Sequence, residues 1–265
     1  MNISQNIDPV KKIKKSKMYR SWVWLQIGVH IICGASTLCF IFPFLNRYQK
    51  DLKIQVWSRR LLKIFNLKLV VHGADLLPSS PYLLVSNHIS WLDIHVINAF
   101  KPVRFVAKSE VASWPIFGWM ALQLGTVFIQ RDSARQARQV VEQMAVVLHS
   151  ESICIFPEGT STAGEQVLPF KPNLFESALS SQSPAYPMAI QYLSLATGLR
   201  SEAPAFIGDM GLLESMSNMV NTPNLYAQIT ILSHFESINL ASPDRKQLAT
   251  YCQEAIARVI EKQPS

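Results

Sequence analysis

The sequence predicts an α/β fold: a mixed, mostly parallel sheet flanked by helices, led by an N-terminal pair of helices, one apolar and one amphipathic. Three observations predict it. From Leu67 onward, short aliphatic runs alternate with segments of helical periodicity, as in a sheet covered by helices. Before that point, Trp22–Phe44 is nearly all apolar, and residues 51–66 repeat apolar side chains at helical spacing. Charge divides in the same region. Residues 1–72 hold thirteen Lys/Arg and two Asp, a balance of +11 against +7 for the whole chain of 265 residues, so the remainder sums to −4. The division expected is residues 1–66, a basic tail with membrane-associating helices, and residues 67–265, an α/β domain.

The apolar run is interrupted only by Gln26, His30 and the small residues Gly34-Ala35-Ser36. At ~1.5 Å per residue it is long enough for a bilayer core of about 30 Å. A cleaved signal peptide fits poorly, because the run exceeds the usual core of roughly 7–15 residues and no clean small-residue cleavage site follows. Six Lys/Arg precede the run and seven follow within residues 47–68, so flanking charge gives a single span no orientation. A monotopic pair held on one leaflet is favoured over a single membrane helix. In the second helix Ile54, Trp57, Leu61 and Phe65 form an apolar stripe among Lys53, Arg59, Arg60 and Lys63, the makeup of an interfacial helix. The alternative is a stripe packed on the body.

Strands are expected at Leu67–His72, Tyr82–Val85, Val103–Ala107, Thr126–Ile129, Ser152–Phe156, Pro187–Tyr192 and Tyr226–Leu232. Helices are expected from Ser90 to Phe100, near Pro115–Leu122, from Ser133 to about His149, near Asn173–Ser180, and from Ser242-Pro243 to about Lys262. Residues 193–224 show no clear periodicity. The composition, 49% hydrophobic and 16% charged, excludes a disordered chain. The basic residues are interleaved with apolar runs and the body carries no nucleic-acid signature, so the charge points to an anionic membrane surface and not to nucleic acid. Cys33, Cys39, Cys154 and Cys252 form no CxxC pair and no metal spacing, and read as buried thiols.

Three stretches carry chemistry. In Ser86-Asn87-His88-Ile89-Ser90-Trp91-Leu92-Asp93 a histidine follows a strand and precedes an aspartate by five residues. With Ser90 as N-cap, Asp93 stands at N3 of a capping box. Folding back, it would orient the imidazole and stabilise its charged form, leaving His88 to deprotonate a hydroxyl. Alone, Asp93 only caps a helix. In Gly125–Arg131 an arginine follows a strand and offers a planar fork to phosphate or carboxylate; beside Asp132 it is also an ordinary surface pair. Phe156-Pro157-Glu158-Gly159-Thr160 is a tight turn after a strand, and Tyr186-Pro187 opens another strand. No GxSxG occurs, so a protein serine is not the expected nucleophile and a lipase-like hydrolase is disfavoured.

In this order and spacing the blocks resemble the glycerolipid acyltransferases that acylate lysophosphatidic acid and related acceptors, whose pattern is NHxxxxD, GxxFIxR, FPEGT and a strand-opening proline. The resemblance spans about Leu67–Tyr192, including Ala107-Lys108-Ser109-Glu110 and Leu168-Pro169-Phe170-Lys171. It implies a glycerolipid acyltransferase-like fold, and acyl transfer from acyl-CoA or acyl-carrier protein to a lysolipid hydroxyl, with no metal and no prosthetic group. It implies His88 as general base and Asp93 as its partner. Arg131, Glu158, Gly159, Thr160 and Lys171 are implied to bind the acceptor. Asn87, Gly125, Phe128, Pro157 and Pro187 are placed on the donor side or in the framework. 1-Acylglycerol-3-phosphate, giving phosphatidic acid, is the expected acceptor, at a membrane with the site facing the cytoplasm. One departure weakens that choice: Ser161 stands where many relatives have an arginine, which leaves lyso-ornithine lipid or lysophosphatidylcholine as alternatives, and a non-catalytic lipid-binding relative as a further one. Nothing in the sequence fixes an oligomeric state.

Overall fold

The alternation read from the sequence becomes one seven-stranded sheet. The computed structural model describes residues 16–129, 134–235 and 244–262. Two long helices come first, α1 (Lys17–Phe40) and α2 (Arg47–Ile64). The body follows as β1 (Leu67–His72), β2 (Leu83–Ser86), α3 (Asp93–Phe100), β3 (Arg104–Lys108), α4 (Ser109–Ala112), α5 (Phe117–Gln123), β4 (Val127–Ile129) and α6 (Ala134–Leu148). Then come β5 (Ile153–Ile155), α7 (Glu176–Ser180), β6 (Ala185–Ser194), α8 (Leu212–Asn221), β7 (Leu225–Ile231) and α9 (Arg245–Glu261). The strand order is β1-β7-β6-β2-β5-β3-β4, and every neighbouring pair is parallel except β6 with β7.

Strands β2 and β5 are buried along their whole length, which is why they read as unbroken aliphatic runs. Successive residues point to opposite faces. Leu84 joins a core with Val96 and Ile97 of α3 and Met216 and Met219 of α8, while Leu83 and Val85 join a second with Val140 and Met144 of α6 and Cys252 and Ile256 of α9. Burying each large aliphatic side chain in these layers stabilises the fold by roughly 1.5–3 kcal/mol.

The N-terminal pair is a helical hairpin. Ser16 caps α1 by accepting from the Tyr19 N–H, and Asn46 and Gln49 form a capping box on α2. One face of α1, with Val23, Ile27, Gly34 and Leu38, is buried, while Leu25, Val29, Ile32 and Phe40 are exposed. By length and composition α1 is able to cross a membrane. In α2 the outcome differs from the interfacial stripe expected. Leu61 and Phe65 are buried in the body's core, and Ile54 and Trp57 pack with Leu38, Phe42 and Met120. Gln55 and Arg59 donate to the carbonyls of Phe100 and Ala99, which have no partner further along α3. Those contacts tie α2 to the body and leave Tyr48, Leu52 and Val56 as its exposed apolar residues.

Other expectations are corrected. Regular helix starts at Asp93 and not at Ser90, because residues 91 and 92 form a turn. Residues 193–224 contain α8, whose apolar residues were hidden among serines and asparagines. The last helix is capped by Asp244, with Gln247 completing a capping box; Ser242 and Pro243 lie outside the described residues, as does Ser133. Cys154 and Cys252 are buried, but Cys33 and Cys39 are exposed on α1.

Candidate active site

Parallel register brings the chemistry-bearing turns together. Val85 of β2 sits beside Ile155 of β5 and Pro187 of β6. The chain segments after Ser86 and after Ile155 therefore leave the sheet side by side. Asn87 continues the sheet with its side chain: its amide donates to the Ile190 carbonyl at 3.0 Å and its carbonyl accepts from the Ile190 N–H at 2.8 Å. The backbone of β2 is thereby freed to turn, and His88 projects from the corner.

Asp93 is fully buried, and such a carboxylate is tolerable only with its lone pairs occupied. Its Oδ2 accepts the His88 ring nitrogen Nδ1 at 2.8 Å, the Ile89 N–H at 2.8 Å and the Ser90 N–H at 2.9 Å. Its Oδ1 accepts the Tyr192 hydroxyl at 2.7 Å. The back-bond to Ser90 expected of a capping box is present, and the Ser90 hydroxyl accepts from Leu92 N–H at 3.2 Å. A carboxylate at Nδ1 fixes the tautomer with the proton there, so Nε2 carries the lone pair.

The rest of His88 is held equally firmly. Its ring stacks on Phe156 at 4.2 Å, and Phe156 stacks on Phe105. Its carbonyl accepts from the Thr162 N–H at 2.9 Å. Its own N–H donates to Glu158 Oε1 at 2.7 Å, while Glu158 Oε2 accepts from the Leu168 N–H at 2.9 Å. Glu158 is only 4% exposed. Burial pushes its pKa up, against the two N–H donors and the His88 imidazole that favour its charge. Expected as an acceptor ligand, Glu158 spends both oxygens inward, because the register sets it against the His88 backbone. Side-chain exposure of His88 is 23%, and its Nε2 has no protein partner among the described residues.

The remaining expected residues are spread around this corner. Pro157 is buried and its carbonyl accepts from the Lys171 N–H at 3.0 Å. Gly159 has φ +73°, the left-handed turn that favours glycine. Thr160 and Lys171 are exposed. Ser161 donates to the Phe206 carbonyl. Pro187 lies inside β6, next to Val85. Gly125 (φ +76°) turns the chain from α5 into β4 against the Arg104 guanidinium, and Phe128 lies on β4, the sheet's last strand, away from His88. Arg131 lies outside the described residues. Sequence reasoning does not single out Tyr192, although a buried tyrosine usually finds a partner for its hydroxyl.

Residues Ile94, His95 and Asn98 of α3 face an apolar cavity of about 70 Å³ that opens to solvent. Its other walls come from Leu38 and Phe42, from Trp57 of α2 and from Met120 of α5.

Known proteins resemble this chain over most of its length. The profile of the family described as Acyltransferase matches residues 68–191, which contain every block above. A lyso-ornithine lipid O-acyltransferase of Pseudomonas aeruginosa is 35% identical over 201 residues, 76% of this chain and 75% of that one. A 1-acyl-sn-glycerol-3-phosphate acyltransferase of Neisseria gonorrhoeae is 32% identical over 179 residues, 67% of this chain and 69% of that one. The crystal structure of the 1-acyl-sn-glycerophosphate acyltransferase PlsC from Thermotoga maritima shares the fold, with a TM-score of 0.68 at 20% identity over 94% of this chain and 97% of that one.

Proposed function

The chain belongs to the acyltransferase family, and on that premise we propose that it moves an acyl chain from a thioester to the free hydroxyl of a lysolipid, with His88 as general base. The observation that carries the reading is the 2.8 Å contact of His88 Nδ1 with a fully buried, fully hydrogen-bonded Asp93, which leaves Nε2 open. Nε2 takes the proton of the lysolipid hydroxyl as its oxygen attacks the thioester carbonyl. Asp93 stabilises the imidazolium so formed. The tetrahedral intermediate expels the thiolate, and His88 returns its proton to the sulfur. The co-substrate is acyl-CoA or acyl-carrier protein, and this chemistry asks for no metal or prosthetic group. The cavity beside α3 suits an acyl chain. The exposed apolar face of α1 and the basic N-terminal part hold the enzyme on one leaflet, with His88 on the cytoplasmic side.

Two acceptors fit, and Ser161 separates them. For 1-acylglycerol-3-phosphate, Arg131 and Lys171 hold the phosphate. Lyso-ornithine lipid is favoured by the commitment of the Ser161 hydroxyl to the Phe206 carbonyl, which removes one phosphate ligand, and by the Pseudomonas relative. Purified enzyme given one acyl thioester and a panel of lysolipids decides. Turnover of lyso-ornithine lipid without lysophosphatidate excludes the phosphatidate reading, the reverse excludes the ornithine reading, and free fatty acid as the sole product excludes acyl transfer altogether.

A further inference from the structure

The apolar surface of this chain does not end with α1. Residues 111–129 contain no charged side chain, although they form the surface helix α5 and reach β4. One side of α5 is packed, with Met120 buried against Leu38 and Phe42. The other side is open: Ile116 is 54%, Trp119 36% and Leu122 59% exposed. Ile116 has φ +64°, a conformation that a β-branched residue rarely adopts, and it caps α5 with an apolar side chain in solvent. Contacts between α1 and α5 place this patch on the helix next to α1. Cations stand at the margin of that joint surface. Residues 17–50 hold no acidic residue but carry Lys17, Arg20, Arg47 and Lys50, and the Lys50 ammonium lies 5.1 Å from the centre of the Phe42 ring.

We propose that α5 is a second lipid-contacting element, which sets Ile116, Trp119 and Leu122 into the same anionic leaflet that receives α1. Apolar side chains with a cationic border match such an interface, whereas a second copy of this chain would bring the same cations against themselves. A lone helix anchors a body without fixing its tilt; a second contact fixes it. Because Met120 and Leu124 of this segment also line the apolar cavity, the same contact holds the cavity at the depth of the acyl chains.

The inference rests on the membrane reading above, and the experiment separates the two. Cys33 and Cys39 are exposed while Cys154 and Cys252 are buried, so surface thiols are readily chosen. An environment-sensitive fluorophore is attached at Leu122→Cys in a Cys33→Ser/Cys39→Ser background, or at native Cys33 with Cys39→Ser. Each full-length protein is mixed with vesicles of phosphatidylcholine and phosphatidylglycerol containing nitroxide lipid. A blue shift and quenching at both positions is expected. Ile116→Ser/Leu122→Ser is expected to weaken vesicle binding about tenfold or more, while keeping its activity on detergent-dispersed substrate. A response at Cys33 with none at position 122 overturns the inference and leaves the membrane reading standing. Silence at both overturns both. A lipid-independent response at 122 that grows with protein concentration, with a doubled mass in solution, assigns the patch to a second copy and overturns the proposal.

Discussion

Helix α3 serves two neighbourhoods built on opposite rules. At its first residue, Asp93, both carboxylate oxygens are occupied and the donors around them are all satisfied. Just beyond, His95 and Asn98 face the seam where α1 and α2 meet the body. There Ser58 Oγ, His95 Nδ1 and, stacked behind Trp57, His30 Nε2 lie buried without partners among the described residues. A buried unpartnered neutral group costs about 1–3 kcal/mol, so the seam tolerates what a charged corner cannot. Burial, with a smaller contribution from His30, pushes the His95 imidazole down to about 3, so it stays neutral. On the proposed mechanism one histidine moves the proton and the other serves as a wall. In that mechanism the rigid corner holds the reacting atom in place, while the apolar seam leaves a cavity for a chain.

The sharpest way to break that contrast is at the histidines themselves. His88→Ala is expected to lower kcat about 10³-fold or more, and Asp93→Asn by a similar factor through the wrong tautomer. His95→Ala should leave kcat within the same order of magnitude. Steady-state assays with folding checked by circular dichroism decide, and an equal loss at His95 would mean that the seam takes part in the proton transfer.

Glu158→Gln tests the corner at one remove. A glutamine keeps one acceptor but sets an NH₂ against a backbone N–H, so either His88 or Leu168 loses its partner. The expected result is a fall in kcat of about 10–100-fold, in line with a lost hydrogen bond to a charged group, with KM for the lysolipid nearly unchanged. A rise in KM with kcat preserved would return Glu158 to the role of acceptor ligand that the motif implies.

Legibility in the sequence follows the same divide. The corner was readable because its parts are local or periodic: His88 and Asp93 lie five residues apart, and the aliphatic runs before Ser86 and Phe156 announce the strands whose ends they share. Which oxygen of Glu158 meets which N–H depends on the register of β2 against β5, which no short stretch encodes. Tyr192 reaches Asp93 across 99 residues of chain for the same reason. The seam was misread because Ile54, Trp57, Leu61 and Phe65 form an apolar stripe whether the surface beyond is lipid or protein; periodicity identifies a buried face and not what buries it. Helix α8 is harder to read: Leu212, Met216, Met219 and Val220 recur at helical spacing, but serines and asparagines lie between them and no side chain caps its start.

At the seam, Gly34→Ala is the least change with a predictable direction. A Cβ there would stand 2.6 Å from Trp57 Nε1. The indole cannot easily yield, since it stacks on His30 at 4.3 Å and donates to the His30 carbonyl at 3.2 Å. Overpacking of this kind costs about 1–3 kcal/mol. A displaced Trp57 narrows the cavity, so activity on long acyl thioesters should fall more than on short ones. Scanning calorimetry of the same variant tests the division proposed at residue 66. Two transitions, the first one lowered, would mark α1 and α2 as a separate unit, whereas a single lowered transition would make them part of one cooperative core.

The smallest effect belongs to the outer edge of the seam, where Glu151 joins Arg47 of α2 to Arg104 of β3. Burial alone would raise the Glu151 pKa, but the two guanidiniums outweigh it and hold the carboxyl below its ordinary value of 4.5. The unfolded chain therefore binds this proton first as pH falls. The stabilisation is complete above the ordinary carboxylate range and is lost as pH drops through the lower, folded value. Asp51 runs the other way, pushed up by burial despite Arg47, so wild-type stability mixes two opposing slopes. Glu151→Gln isolates them. At neutral pH it should cost at most about 1 kcal/mol, or about 2–4 °C in Tm, and the difference from wild type should vanish in acid. A difference that persists unchanged below pH 4 would show that Glu151 holds the seam by packing and not by charge, making this edge as indifferent to protons as His95 is.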